Sequence, residues 1–117
     1  MRSDATVIVF CVPFSSIVRD EELERFDSEL TAIADKDPSA LLAIDFSQTF
    51  HISSRALGIL AVTRKKLNKG GGRIVLFGTN PAIEKVMKVT HLDTLMPMVE
   101  DRTKAEELLR AEDGTVR

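Results

Sequence analysis

The sequence predicts an α/β fold in which helices pack on a small, largely parallel sheet. Short apolar runs at Thr6–Val12, Leu41–Ile44 and Arg73–Phe77 have the length and the aliphatic composition of buried strands. The segments between and after these runs repeat their apolar residues with the period of a helix. Strands that alternate with helices along a chain are typical of this class.

The first half of the chain contains two predicted strands and one helix. Thr6–Val12 is expected to be a strand covered on both faces, and Pro13 ends it. A helix is expected from about Asp20 to Asp37, because the residue before Pro38 is disfavoured in a helix. Its apolar stripe consists of Leu23, Phe26, Leu30 and Ile33. The second strand then runs from Leu41 into Asp45.

A second helix is predicted at Ser53–Asn68, after the polar stretch Ser47–Thr49. Its first half is apolar nearly all round, so we expect that end to be buried and the C-terminal end to be exposed to solvent. The basic run Arg64, Lys65, Lys66 and Lys69 fits such a solvated face. The glycines at 70–72 predict the end of the helix.

The last third of the chain begins with the third strand, Arg73–Phe77. Asn80 followed by Pro81 predicts a helix start, with a stripe of Ile83, Val86 and Met87. A short strand is expected near Met96–Val99. Thr103–Glu106 matches a capping box, which predicts a final helix held down by Leu108 and Leu109. Residues after Glu112 are expected to fray.

Length and charge limit the classes of function. A chain of 117 residues predicts one domain over 1–117, with its core at about 6–111. The formal net charge of −2 predicts no general attraction to nucleic acid or to an anionic membrane. No apolar run approaches the ~20 residues of a membrane span, so we expect no membrane insertion and a cytoplasmic location. The single cysteine, Cys11, is expected to be a buried, inert thiol.

The reactive residue types in the sequence are not arranged as a catalytic, metal or cofactor site. A phosphate-binding GxxxxGK[ST] loop is absent, and the two histidines, His51 and His91, lack partners at metal-ligand spacing. Ser53 and Ser54 lie between a strand and a helix, near His51 and Asp45, but the glycines of a hydrolase elbow are missing. A phosphate-receiver domain would need acids at the end of the first strand, where this chain has none. We therefore expect no enzyme activity.

The adjacent serines Ser53 and Ser54 are the remaining candidates for a functional site. Ser53 is placed to cap the second helix by accepting a hydrogen bond from a free backbone N–H. Ser54 is then the first helical residue, exposed at the positive end of the helix dipole, where the fold tolerates a phosphate. On the residues alone, capping is the favoured role and a regulatory phosphorylation site is the alternative.

The segment Leu41–Pro97 resembles the STAS domains of bacterial anti-sigma-factor antagonists. The match is a series of elements in order and spacing rather than any one motif. The corresponding residues are Ile44-Asp45-Phe46, Ile52-Ser53-Ser54-Arg55-Ala56-Leu57-Gly58, Gly71-Gly72-Arg73-Ile74-Val75-Leu76, Asn80-Pro81 and His91-Leu92-Asp93-Thr94-Leu95-Met96-Pro97.

The resemblance implies a four-stranded, mostly parallel sheet with helices mainly on one side. It implies partner switching, in which the unmodified domain binds an anti-sigma factor that is itself a serine kinase. Phosphorylation of the domain then ends this binding. Ser54 takes the position of the phosphorylated serine, with Ser53 as second choice. The implied partner-binding residues are Phe50, His51, Ile52, Ser53, Ser54, Arg55 and Gly58.

Two departures from the family pattern leave other functions open. Ser53 stands where Asp is frequent, and Ala56 stands where Gly is usual, which removes a charge from the turn and stiffens the helix start. Ser53 and Arg55 favour a second hypothesis, in which the chain is a STAS scaffold subunit of a larger sensory or transport complex and has no phosphoswitch. The third hypothesis is a sensor of a small molecule or nucleotide. A weak homo-oligomer is also left open.

Overall fold

The computed structural model describes residues 6–111, which form six strands and four α-helices. The expected fraying after Glu112 lies outside these residues. The elements in chain order are β1 (Val7–Cys11), β2 (Ser16–Ile17), α1 (Asp20–Lys36), β3 (Leu41–Asp45), β4 (His51–Ile52), α2 (Ser54–Lys69), β5 (Arg73–Phe77), α3 (Pro81–Val89), a 3-10 turn (Leu92–Thr94), β6 (Met98–Val99) and α4 (Arg102–Arg110).

The main sheet has four strands in the order β1-β3-β5-β6, and each neighbouring pair is parallel. The register aligns Val9 with Ala43 and Ala43 with Val75, so the carboxyl ends of β1, β3 and β5 lie at one edge. This arrangement confirms the predicted α/β class and the parallel four-stranded sheet. The short strands β2 and β4, which the sequence did not predict, form a second parallel pair beside it.

Helices cover both faces of the main sheet, but unequally. Because successive residues of a strand point to opposite faces, Leu42 and Ile44 pack with residues of α1, α2 and α3, while Leu41 and Ala43 pack with α4. Three helices therefore lie on one face and one on the other, as the resemblance implied. The predicted core residues are buried: Leu42, Ile44, Leu57 and Leu60.

β1 differs from its prediction. It is the edge strand of the sheet and has only β3 as a neighbour, so Val7–Phe10 are half-buried rather than covered. Cys11 is exposed, and the prediction of a buried thiol is wrong. Partial burial and a hydrogen bond from the thiol to Asp45 Oδ2 at 3.4 Å raise the pKa of Cys11, which disfavours the reactive thiolate.

α2 is buried on one face as far as Leu67, so the expected exposure of its C-terminal end holds only for the basic side of the helix. Thr63 and Leu67 are buried near that end, whereas Val62, in the apolar first half, is 58% exposed. The helix packs on α1 and on the sheet and ends at the glycines, as predicted. Gly71 takes the left-handed conformation with φ of 89°, and Gly72 N–H donates to Leu67 O at 2.7 Å.

The start of α3 confirms its prediction, and the start of α4 corrects one. Asn80 Oδ1 accepts the Ile83 N–H at 2.9 Å, and Pro81 is the first residue of α3. The cap of α4 lies two residues before the proposed cap Thr103, because the Asp101 carboxylate accepts the Lys104 N–H at 2.9 Å and caps the helix instead.

Candidate functional site

The chain segment that precedes α2 is held in place by main-chain hydrogen bonds to the segment around β2. Phe50 N–H donates to Ser15 O at 2.8 Å, and Ser53 N–H donates to Ile17 O at 3.1 Å. These bonds fix both ends of β4, and so they fix the position of the first residues of α2. Sequence patterns missed this support because a two-residue strand has no measurable period.

Buried polar contacts anchor the same segment from the other side. Thr49 is 1% exposed, and its hydroxyl donates to Phe14 O at 2.8 Å. The amide of Asn80 donates to Thr49 O at 3.1 Å while the same side chain caps α3. The start of α3 and the turn before Phe50 are therefore joined, and sequence analysis assigned this role to neither Thr49 nor Asn80.

Ser53 is the N-cap of α2, as predicted. It has extended backbone, and its Oγ accepts the Ala56 N–H at 3.2 Å. Its carbonyl accepts the Leu57 N–H at 3.1 Å. With its own N–H bound to Ile17, Ser53 is tied to β2 and to the first turn of α2, and it is half-buried. Its side chain thus serves the fold.

Ser54 differs from Ser53 in its exposure and in the contacts of its side chain. It is the first residue of α2 and is exposed, and its hydroxyl makes no hydrogen bond within residues 6–111. The first turn of α2 has no acidic residue, although a helix N-terminus carries roughly half a positive charge. The Ser54 hydroxyl is therefore free to be modified, next to an electrostatic field that favours an anion.

Arg55 lies at the same end of α2, where a cation is unfavourable. Its Nη1 is 3.4 Å from Oδ1 of Asp20, and Asp20 is the first residue of α1. The first turn of α1 holds two further acids, Glu21 and Glu22. The acidic start of α1 therefore accounts for the cation beside Ser54.

Ala56, which stands where the family pattern has glycine, has a structural role. It is completely buried in the core under α1, α2 and α3. Its methyl group fills space in that core, and alanine costs less than glycine in a helix. Alanine at this position therefore stabilises the first turn of α2, which positions the site.

The predicted binding residues form one exposed surface, which we call the switch surface. It consists of the predicted residues Phe50, His51, Ile52, Ser53, Ser54, Arg55 and Gly58. Phe50 is 54% exposed, so its aromatic ring is accessible to a partner. Gly58 lies one turn after Ser54, and a Cβ added there would meet open space. Ile52 and Ser53 are half-buried and contribute mainly support.

The groups of a serine hydrolase are not brought together here. The Asp45 carboxylate accepts the Ser47 N–H at 2.8 Å and the Cys11 thiol, and His51 makes no side-chain hydrogen bond to either serine of the pair. Among residues 6–111, no three Cys, His, Asp or Glu side chains are grouped as metal ligands. No helix in that range is both long and apolar enough to cross a membrane.

Comparison with known proteins places most of the described chain in one family. The sequence model described as STAS domain matches residues 6–105. Comparison with curated proteins found no match.

Solved structures of similar fold agree with the family match. One is an anti-sigma-factor antagonist (STAS) domain protein from Planctomyces limnophilus, with 23% identity, a TM-score of 0.77 and 92% of each chain covered. A candidate anti-sigma factor antagonist from Thermotoga maritima has 20% identity and a TM-score of 0.76, over 90% of this chain and 92% of that one. The anti-sigma factor antagonist SpoIIAA in its unphosphorylated form has 14% identity and a TM-score of 0.61, over 91% of this chain and 86% of that one.

Proposed function

Since this chain belongs to the STAS domain family, we propose that it is an anti-sigma-factor antagonist whose binding is switched off by phosphorylation of Ser54. The observation that carries the proposal is the contrast between two adjacent serines. The Ser53 side chain is used by the fold, whereas the Ser54 hydroxyl is exposed and has no hydrogen bond within residues 6–111.

The unmodified domain binds the anti-sigma factor through the switch surface. Phe50 supplies an exposed aromatic anchor, and Gly58 leaves a flat place on α2 where a partner backbone can approach closely. Binding occupies the anti-sigma factor, and the sigma factor is released. The solved antagonists of the same fold, one of them described in its unphosphorylated form, support this role.

Phosphorylation acts through charge. A phosphate on Ser54 adds roughly 1.5 to 2 negative charges to the switch surface, four residues after Phe50 in the sequence. The fold tolerates these charges, because they lie at the N-terminus of α2, whose first turn has no competing acid. The partner does not tolerate them, because burying a charge without a partner in an interface costs several kcal/mol. Affinity therefore falls while the domain stays folded.

The partner in this proposal is an anti-sigma factor with serine kinase activity, and the chain itself is not an enzyme. It contributes a substrate hydroxyl and a binding surface, and it needs no cofactor. Sigma factors act in the cytoplasm, so the proposal places the chain there. It involves no direct contact with nucleic acid.

Calorimetric titration against the cognate anti-sigma factor, a serine kinase in this proposal, tests the proposal. Ser54→Asp is expected to bind at least about tenfold more weakly than the original chain, a loss of about 1.4 kcal/mol. Ser54→Ala is expected to bind with unchanged affinity. The matched control Ser28→Asp, at an exposed serine of α1, is expected to leave the affinity unchanged. Equal affinity of all four proteins would contradict the proposal.

A second variant separates binding from stability. Gly58→Ala is expected to raise the free energy of unfolding by about 0.5–1 kcal/mol, because the added methyl group meets open space on a helix. On the switch surface the same methyl group obstructs the partner, so the affinity is expected to fall. A more stable variant with full affinity would place the partner elsewhere.

One observation favours a second function, that of a STAS scaffold subunit in a larger complex. The Arg55–Asp20 ion pair gives the cation a role without any phosphate. A scaffold would bind its complex through the same surface but would be insensitive to Ser54→Asp. The titration therefore distinguishes the two functions.

A further inference from the structure

Charge is strongly segregated along the chain, although the formal net charge is only −2. Residues 53–91 contain eight Lys and Arg and a single acid, Glu84, which gives them a formal charge of +7. The rest of the chain carries the compensating −9. The net charge of the whole chain conceals this division.

Half of these eight cations are engaged within the described chain. The contacts are Arg55 with Asp20, Lys66 with Asp35, Arg64 with the carbonyl of Leu95, and Arg73 with the carbonyl of Leu108. The other four are exposed and make no ion pair or hydrogen bond within residues 6–111: Lys65, Lys69, Lys85 and Lys88. The cations of α4 differ, because Arg102 and Lys104 both pair with acids.

Exposed aliphatic side chains lie on the same two helices as the free cations and on the turn that follows α3. Val62, Val89 and Leu95 are 58%, 70% and 43% exposed. Val62 lies on the same stripe of α2 as Lys65 and Lys69, and Val89 lies one turn after Lys85 on α3. The bond from Arg64 Nε to Leu95 O, 3.0 Å long, holds Leu95 beside α2. We call these residues the α2–α3 face: Val62, Lys65, Lys69, Lys85, Val89 and Leu95.

We propose that the α2–α3 face is a docking surface for an acidic, amphipathic segment of a protein partner. Glutamate or aspartate side chains of that segment pair with the free lysines, and its apolar side chains cover the three aliphatic residues. Lys65 lies about 16 Å along the helix from Ser54, at 1.5 Å per residue. The face adjoins the switch surface, because Val62 lies one turn after Gly58, but it extends to residues that the switch does not use. Docking here therefore goes beyond the proposed function.

The neighbouring helix distinguishes a protein from other anionic partners. α1 packs on α2 in the same layer, and its outward residues include Glu21, Glu24 and Asp27. The ion pair between Lys66 and Asp35 lies where the two helices meet. A flat anionic membrane or a long nucleic acid that covered α2 and α3 would also meet these acids and be repelled. A protein segment can follow α2 and α3 alone.

A defined probe tests the docking surface: a synthetic helical peptide with leucine along one stripe and glutamate elsewhere, titrated into the isotope-labelled chain. We expect shifts of the NMR signals to concentrate on α2 and α3. We expect affinity to fall at least about tenfold between about 50 and 300 mM NaCl, since surface charge is screened. The triple change Lys65→Gln, Lys69→Gln and Lys85→Gln is expected to weaken binding at least about fivefold.

The matched control changes three cations outside the face: Arg19→Gln, Lys36→Gln and Lys104→Gln. It is expected to leave peptide affinity within about twofold, because these side chains lie on α1 or beside acids. An equal loss in both triple variants would contradict the proposal, as would tighter binding to phosphatidylglycerol vesicles or duplex DNA than to the peptide. Salt-sensitive self-association without the peptide would assign the face to a second copy of the chain instead. None of these outcomes bears on Ser54.

Discussion

Arg55 Nη1 lies 3.4 Å from Asp20 Oδ1 and joins the first turn of α2 to the first turn of α1. Both side chains are largely in solvent, with 68% and 86% of their surfaces exposed. Water screens such a pair, so it contributes no more than about 0.5 kcal/mol to stability. The pair instead keeps a guanidinium beside Ser54, where a phosphate could recruit it away from Asp20.

The first prediction concerns that guanidinium. Arg55→Gln is expected to change the free energy of unfolding of the unmodified chain by less than about 0.5 kcal/mol, because the pair is exposed. In the Ser54-phosphorylated chain the same change is expected to cost about 1 kcal/mol, since it removes the cation next to the phosphate. Urea denaturation of both forms measures the difference. Arg55→Lys, which keeps the charge, is the control, and equal costs in both forms would show that Arg55 does not contact the phosphate.

The second prediction separates the two serines by stability. Ser53→Ala is expected to cost about 1 kcal/mol, because it leaves the Ala56 N–H without its cap. Ser54→Ala is expected to change the free energy of unfolding by less than about 0.3 kcal/mol, since alanine is a good helix former and the hydroxyl has no partner within residues 6–111. Thermal and urea denaturation of the two variants provide the measurement. Equal costs would mean that the cap is not at Ser53.

The third prediction concerns α2. Leu60 is fully buried, so Leu60→Ala is expected to cost about 2–5 kcal/mol through lost burial and the cavity that remains. Val62 lies on the opposite, exposed side of the same helix, and Val62→Ala is expected to cost less than about 0.5 kcal/mol. The difference between the two denaturation midpoints tests which face of α2 packs on the core. Similar costs at both positions would contradict the described orientation of the helix.

Features of the fold that arise from long apolar patterns could be predicted from the sequence. β3 and β5 are buried on both faces and appear as unbroken apolar runs, and the Asn80–Pro81 start of α3 depends only on neighbouring residues. Features that depend on tertiary neighbours could not be predicted. The edge position of β1, which exposes Cys11, is set by strand order, and the burial of Leu67 is set by the direction of α2.

The candidate site divides in the same way. The capping role of Ser53 and the exposure of Ser54 follow from local sequence, because an N-cap and the residue after it are set by the start of one helix. Asp20 could not be connected to Arg55, since 35 residues separate them and only the packing of α1 on α2 brings them together. In the sequence, Thr49 belongs to a polar stretch with no other distinguishing feature. Its buried hydrogen bond could not be predicted, because the acceptor is the distant carbonyl of Phe14.

The fourth prediction concerns Cys11. Although exposed, its thiol is expected to react with iodoacetamide near pH 8 more slowly than a cysteine in a short peptide. Partial burial and the hydrogen bond to Asp45 raise its pKa and reduce the thiolate fraction. Asp45→Asn removes the negative charge and is expected to speed alkylation. Mass spectrometry over time provides the rates, and a rate above that of the peptide would contradict this account of the thiol.

The modification of Ser54 by the cognate kinase tests the central claim most directly. The chain is incubated with ATP and its cognate serine-kinase anti-sigma factor. The modified residue is located by mass spectrometry, and the modified and unmodified chains are titrated against the same partner. We predict phosphate on Ser54 and an affinity at least about tenfold lower for the modified chain. Phosphate on Ser53 alone, or no phosphate together with full binding by Ser54→Asp, would contradict the switch.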